Sequence, residues 1–347
     1  MAKKKKGKWS LMTATVTSLV FFWLNIAAAQ TLYVDEQFGF SLTSGVVFAS
    51  KPAGSPVSNM DLALELYEPG GVSVPENRPA VILIHGGGFV SGNRFNSRLI
   101  EMCERMARRG YSCVSIDYRL QGDAPVVDAS FQAIADLFSV LGPGDPRGPA
   151  VAAAAEDGWA AYEWLVNNAV TLNIDVDRIA VGGSSAGAVT ALYLGYGLEE
   201  IGVAPANTFA AVFDMWGAFL GPDTYIMSGD APLLITHGDA DTTVPVEAAN
   251  ALVTRAEAIG LEFERHILPG VGHGYDIFSV LVTPTETMFD RVVDFFYEHV
   301  APNQSNSVDV PLLPIPASIM ILLIVLVVAY HHVARGTRII KKSSDLS

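Results

Sequence analysis

From Thr31 to about Ala301, short apolar runs alternate with helix-length segments, and this alternation restricts the chain more than any other feature. Asp61 to Leu66 alternates in polarity, as a half-buried strand does. Ala80-Val81-Ile82-Leu83-Ile84-His85 is apolar almost without a break, as a strand covered on both faces must be. Further strands are predicted at Ser112–Ile116, Arg178–Val181, Phe209–Phe213, Leu233–Thr236 and Phe263–Leu268. Helices are predicted at Leu99–Arg109, closed by Gly110, and at Ala150–Asn168, Ala186–Leu198, Val246–Ile259 and Thr285–His299. Strand and helix in this order specify the α/β class, with a doubly wound, mostly parallel sheet. Only Met215 to Ala231 lie between the runs that end at Phe213 and begin at Leu233, too little for a large cap domain at that place. The looser stretch Gln121–Pro149 is the better candidate for a lid or pocket wall.

Charge is unevenly placed along the chain. The formal net charge is −14, from 22 Lys and Arg against 36 Asp and Glu. Setting aside the nine cations of the two ends and Asp345 leaves 13 cations against 35 acids, about −22. Such a surface repels nucleic acid, whose binding rests on neutralising phosphates. Cys103 and Cys113 have no metal-ligand spacing. Two buried free thiols are the favoured reading, because one falls on a helix and the other on a strand of unknown facing; a disulfide is the alternative in an exported chain.

Both ends read as addresses. Residues 1–29 carry the basic run Lys3 to Lys8, an apolar stretch from Leu11 to Ala28 and small residues before Gln30, the three parts of a secretory signal peptide; an uncleaved anchor is the alternative. Residues 302–314 form a polar linker that runs into Val310-Pro311-Leu312-Leu313-Pro314. Residues 315–334 are long and apolar enough for a transmembrane helix, and the tail 335–347 holds Arg335, Arg338, Lys341 and Lys342, which would keep that end in the cytoplasm. The domain between, residues 30–301, would then lie outside the cytoplasmic membrane. The segment from Val310 to Ser318, followed by an apolar span and a basic cluster, resembles the sorting tails processed by bacterial exosortases, with an extra Leu-Pro-Ile inside the short signature. A plain membrane anchor is the other reading.

The chemistry concentrates at four places. Gly183-Ser184-Ser185-Ala186-Gly187 fits G-x-S-x-G, with a strand leading in and a helix leading out, the context in which a serine is presented on a sharp turn above a sheet. A phosphate loop is the bland alternative, but no Lys follows in the P-loop position. His85-Gly86-Gly87-Gly88-Phe89 directly follows a buried strand; main-chain N–H groups there, with that of Ala186, would form an oxyanion hole. His237-Gly238-Asp239-Ala240-Asp241 and Pro269-Gly270-Val271-Gly272-His273-Gly274 each follow a strand. Of the seven histidines, only His273 sits on a glycine-flanked loop near the end of the domain. His85 reads as support for its own loop. Either Asp239 or Asp241 could supply an acid.

The stretch from Asp61 to His299 resembles the α/β-hydrolase carboxylesterases with an HGGG motif, in their hormone-sensitive-lipase-like and feruloyl-esterase-like branches. The resemblance implies the α/β-hydrolase fold without a large cap, Ser185 as nucleophile, Asp241 as acid and His273 as base. It also implies Gly87 and Gly88 as oxyanion donors together with Ala186. Ser184 departs from the first branch, which usually has Asp there. The stretch Ser115-Ile116-Asp117-Tyr118-Arg119-Leu120 matches a further part of the pattern, with a structural role. The implied reaction is ester cleavage through an acyl-enzyme, with no metal or organic cofactor. A serine peptidase of the same fold and a non-catalytic binding protein are the alternatives. Phe89 and Trp216 are candidates for an acyl pocket, or simply core aromatics.

Overall fold

The structure is a computed structural model and describes residues 30–141 and 144–301. The expected signal peptide, linker, transmembrane helix and basic tail lie outside the described residues. Among the described residues, no helix is long and apolar enough to cross a membrane.

Eight strands form one sheet: β1 (Gly39–Ala53), β2 (Ser58–Gly70), β3 (Arg78–Ile84), β4 (Ser112–Ile116), β5 (Ile174–Ser184), β6 (Ala211–Met215), β7 (Leu233–Gly238) and β8 (Phe263–Leu268). Their spatial order is β1-β2-β4-β3-β5-β6-β7-β8. β1 and β2 form an antiparallel hairpin, β2 runs antiparallel to β4, and every later pair is parallel. The helices are α1 (Ser97–Arg108), α2 (Gln132–Leu141), α3 (Gly148–Leu172), α4 (Ala186–Leu192), α5 (Glu247–Ile259) and α6 (Met288–His299). A short helical turn, Leu198–Glu200, follows α4. α1 and α6 cover one face of the sheet through Leu99, Met102, Met106, Phe289, Val292 and Phe296. α3, α4 and α5 cover the other through the alanines of α3 and through Leu192, Leu252 and Val253. With both faces covered, every residue of β3 is buried, which is why it is apolar from Pro79 to Ile84; Arg78 at its start is paired with Glu68.

Several expectations change in detail. β1 has no counterpart in the pattern read from sequence, since its burial alternates weakly and most of it is exposed. β2 extends well beyond Asp61–Leu66 as its partner. The helix after Ser185 does not run unbroken to Leu198: α4 ends at Leu192 and the backbone widens into a π turn over Tyr193–Gly197. Gly195 packs there so closely on β6 that a Cβ would lie 2.4 Å from the Val212 side chain. The stretch Gln121–Pro149 is less loose than expected, because α2 forms within it and buries Ile134 and Ala135 in the same core as α3. The two cysteines are not free thiols: Cys103 of α1 and Cys113 of β4 form a disulfide, with Cα atoms 5.1 Å apart. The strand side chain faces α1, the fact the sequence pattern could not supply.

One charged cluster is fully enclosed. Arg119 is 0% exposed and binds Asp157 through its backbone N–H and guanidinium, while its Nη2 also meets Glu156 at 2.7 Å. Lys51 of β1 donates to the other oxygen of Glu156. Arg119 donates further to the carbonyls of Pro52 and Val126. The cluster ties the hairpin, the loop after β4 and α3 together, which is the structural role expected for this stretch.

Candidate active site

Strand β5 runs at the centre of the sheet and ends in the Ser185 turn. Ser185 has φ 54° and ψ −118°, a strained conformation for a side chain other than glycine. Its backbone N–H donates to the Met215 carbonyl at the end of β6, which fixes the turn. Close packing explains the glycines around it. A Cβ on Gly187 would lie 2.0 Å from the Ile84 carbonyl oxygen, and one on Gly183 would meet Gly187 at 2.3 Å.

The loop after β3 folds against this turn. A Cβ on Gly86 would sit 2.8 Å from the Ser184 carbonyl oxygen, and one on Gly87, at φ 121°, only 1.9 Å from that of Ser91. His85 is buried, donates from Nδ1 to the Gly86 carbonyl at 2.7 Å and stacks on Tyr118. Tyr118 in turn donates its hydroxyl to the His85 carbonyl. His85 therefore supports the loop, as expected. Among the described residues, the N–H groups of Gly87 and Gly88 donate to no protein acceptor. The N–H of Ala186 opens α4, where no intrahelical partner is available. Sequence reading assigned these same three donors to one place.

Asp241 lies in the turn after β7 and His273 in the loop after β8. The His273 imidazole bridges the two other groups: Nδ1 is 2.6 Å from Asp241 Oδ2 and Nε2 is 2.9 Å from Ser185 Oγ. Asp241 Oδ1 accepts the N–H groups of Thr243 at 2.8 Å and Val244 at 3.0 Å. Burial alone would raise the Asp241 carboxyl. The His273 contact and these two N–H groups outweigh it and hold the pKa below the ordinary carboxylate value. Asp239 is turned elsewhere, for its Oδ1 accepts the N–H of Gly270 and joins the two loops. The structure thus brings Ser185, His273 and Asp241 into one hydrogen-bonded line and leaves Ser184 and Asp239 out of it. Such a line can move the serine proton onto the imidazole, with the carboxylate stabilising the resulting charge.

Trp216, at φ 46°, lies edge-on to His273 with ring centroids 6.4 Å apart and packs against Tyr275. It lines a small cavity beside the turn together with Leu99, Met102, Ser184 and Ile277. Phe89 instead packs on Tyr118 in the core. Arg147, from the stretch expected to wall the pocket, approaches Gly88 and is paired with Asp145.

Two buried groups behind Asp241 escaped sequence reading. His237 Nε2 lies 2.8 Å from the Val244 carbonyl and 3.4 Å from Asp241 Oδ2. Asp214 accepts the N–H of Gly217, and burial pushes its carboxyl up to about 6 against that bond and the nearby His237. The four-residue step from His237 to Asp241 was the available signal for the first; Asp214, inside an apolar strand, offered none but its charge. Among the described residues, no group of three or more His, Cys, Asp or Glu is arranged to hold a metal ion.

Comparison with known proteins agrees with the geometry in kind. A family model described as BD-FAE matches residues 64–136, and one described as alpha/beta hydrolase fold matches residues 146–209. An AB hydrolase superfamily protein of Schizosaccharomyces pombe is 33% identical over 146 residues, 41% of this chain and 33% of the relative. Esterase LipC of Mycobacterium tuberculosis is 26% identical over 222 residues, 57% of this chain and 53% of the relative. The chain thus spans about a third to a half of the length of these curated relatives. Among solved structures, the apo form of Thermogutta terrifontis esterase 2 superposes with a TM-score of 0.56 at 22% identity, covering 79% of this chain and 100% of that one. At that identity the likeness is one of fold.

Proposed function

We propose that this chain, an α/β hydrolase by fold, is a serine hydrolase that cleaves carboxylic esters through an acyl-enzyme. The observation that carries the reading is the hydrogen-bonded line Ser185–His273–Asp241, set beside a glycine loop with free N–H donors. Ser185 attacks the ester carbonyl while His273 Nε2 takes its proton. Asp241 fixes the imidazole with Nδ1–H toward the carboxylate and stabilises its charged form. The N–H groups of Gly87, Gly88 and Ala186 receive the negative oxygen of the tetrahedral intermediate. His273 returns the proton to the leaving alcohol, and a water activated by the same imidazole releases the acid. The names of the matching relatives, esterase LipC among them, support an ester rather than an amide substrate.

The export reading belongs to the same proposal. Residues 1–29 act as a signal peptide, and the apolar span 315–334 holds the domain at the membrane unless an exosortase cleaves near Val310 to Pro316. The intact mass of the native protein decides between a retained anchor and a processed tail. A panel of p-nitrophenyl acyl esters and feruloyl esters, run on the full chain and on Ser185→Ala, tests the activity. Turnover lost in Ser185→Ala is the expected result; turnover retained there and lost in Ser184→Ala overturns the nucleophile.

A further inference from the structure

Asp214 and His237 are both 0% exposed and lie on neighbouring parallel strands. Asp214 stands opposite Ile235, so it shares a sheet face with His237 two residues further on. Among the described residues, each carries one buried atom without a protein partner: Oδ2 of Asp214 and Nδ1 of His237. Leaving two such atoms unsatisfied is costly, and native interiors rarely tolerate it. The atoms do not bond each other directly, since neither has a partner within 3.5 Å. The remaining contacts fix the proton inventory. His237 Nε2 faces the Val244 carbonyl, an acceptor only, and must therefore carry a hydrogen. Its Nδ1 is then a lone pair, and above pH of about 6 the Asp214 oxygen is an acceptor too. One water molecule donating a hydrogen to each satisfies both.

We propose that Asp214 and His237 form a buried, water-bridged pair that positions the catalytic acid: the Val244 carbonyl fixes His237 as the Nε2–H tautomer, the water shared with Asp214 fills its Nδ1 lone pair, and His237 so held grips the Val244 peptide whose N–H anchors Asp241. The chain of contacts is continuous. His237 Nε2–H grips the Val244 carbonyl, Val244 N–H donates to Asp241 Oδ1, and Asp241 Oδ2 meets His273. In the other tautomer, a bare Nε2 would face both the Val244 carbonyl and the Asp241 carboxylate, three acceptors together, and the turn would have to move. Small displacements of a catalytic group cost up to about 100-fold in rate. The inference rests on the esterase reading for its activity assays, while its spectroscopic arm does not.

The test uses the full chain. Nuclear magnetic resonance of isotope-labelled histidine, with the His237 signals assigned by their loss in His237→Gln, should show a neutral Nε2–H tautomer at neutral pH. His237→Gln, whose amide can still donate to the Val244 carbonyl, should keep kcat within about threefold, whereas His237→Phe should lower kcat about tenfold or more at little changed KM. Asp214→Asn, which can still order the water, should keep kcat within about threefold, and Asp214→Leu, which leaves the Nδ1 lone pair without its water, should lower kcat severalfold at little changed KM. An Nδ1–H tautomer in the wild type overturns the proposal, as does full kcat in a folded His237→Phe or in a folded Asp214→Leu. Retained turnover in Ser185→Ala would instead sink the esterase reading and leave the tautomer result standing.

Discussion

Two buried carboxylates of this molecule meet cationic or basic partners in opposite ways. Asp157 is enclosed with Arg119, and every donor around it is permanently charged or fixed in the backbone. The Asp241 side chain is enclosed as well but faces an imidazole that is 22% exposed and lies within hydrogen-bond reach of Ser185. The first arrangement holds charge in place; the second waits for charge to arrive. Strain is divided the same way. Arg119 is satisfied on all sides, while Ser185 is kept at a positive φ and the Gly87 and Gly88 N–H groups point to no acceptor among the described residues. The contrast separates a cluster that stabilises the fold from one that spends stability on readiness to react.

The largest expected effect breaks the reactive side alone. Ser185→Ala should remove esterase turnover by several orders of magnitude, about 10⁴-fold or more, while the thermal midpoint stays within a few degrees. Asp241→Asn should follow with a loss of about 10³-fold or more, because the wrong imidazole tautomer is then favoured, against a small loss for Asp239→Asn. Comparing kcat for the two variants on one ester measures it, and comparable losses would leave the acid unassigned. Asp157→Asn should reverse the pattern: a destabilisation of about 3–5 kcal/mol in urea unfolding, from the buried Arg119 charge left under-compensated, with kcat unchanged for the folded fraction. The smallest effect belongs to Glu264 of β8, which Arg291 and His266 flank. Burial would raise its carboxyl, but those partners outweigh it and bring the pKa down to about 2. A carboxyl depressed on folding contributes stability above its unfolded pKa and loses it as pH falls toward the folded value. Stability should therefore drop between about pH 4.5 and pH 2, and Glu264→Gln should flatten part of that drop in unfolding midpoints measured across the range.

Much of this contrast was legible beforehand, and unevenly. The parallel centre of the sheet announced itself because a strand buried on both faces has a continuous apolar run, as β3 has from Pro79 to Ile84. The serine turn and the glycine loop announced themselves because only glycine fits where Gly87 and Gly187 meet other backbone. The choice of Asp241 over Asp239 came from resemblance, for two acids on one loop are equivalent until the loop has a shape. β1 stayed hidden because an exposed edge strand bears no apolar signature. The disulfide stayed the lesser of two readings because pairing depends on which way the Cys113 side chain leaves its strand. Asp214 and His237 stayed hidden because their importance lies in what their second atoms lack.

That disulfide also dictates an order of events during biosynthesis. Both sulfur-bearing residues are 0% exposed once α1 lies on β4, so no oxidant reaches them in the finished domain. The bond has to close while the segment from residue 97 to residue 116 is still open to an oxidase, and a reducing expression host would deliver the domain with two sealed thiols instead. Yield of the cross-linked form should then depend on the compartment in which the chain is produced, and thiol-trapping during refolding would show the bond forming ahead of the native core.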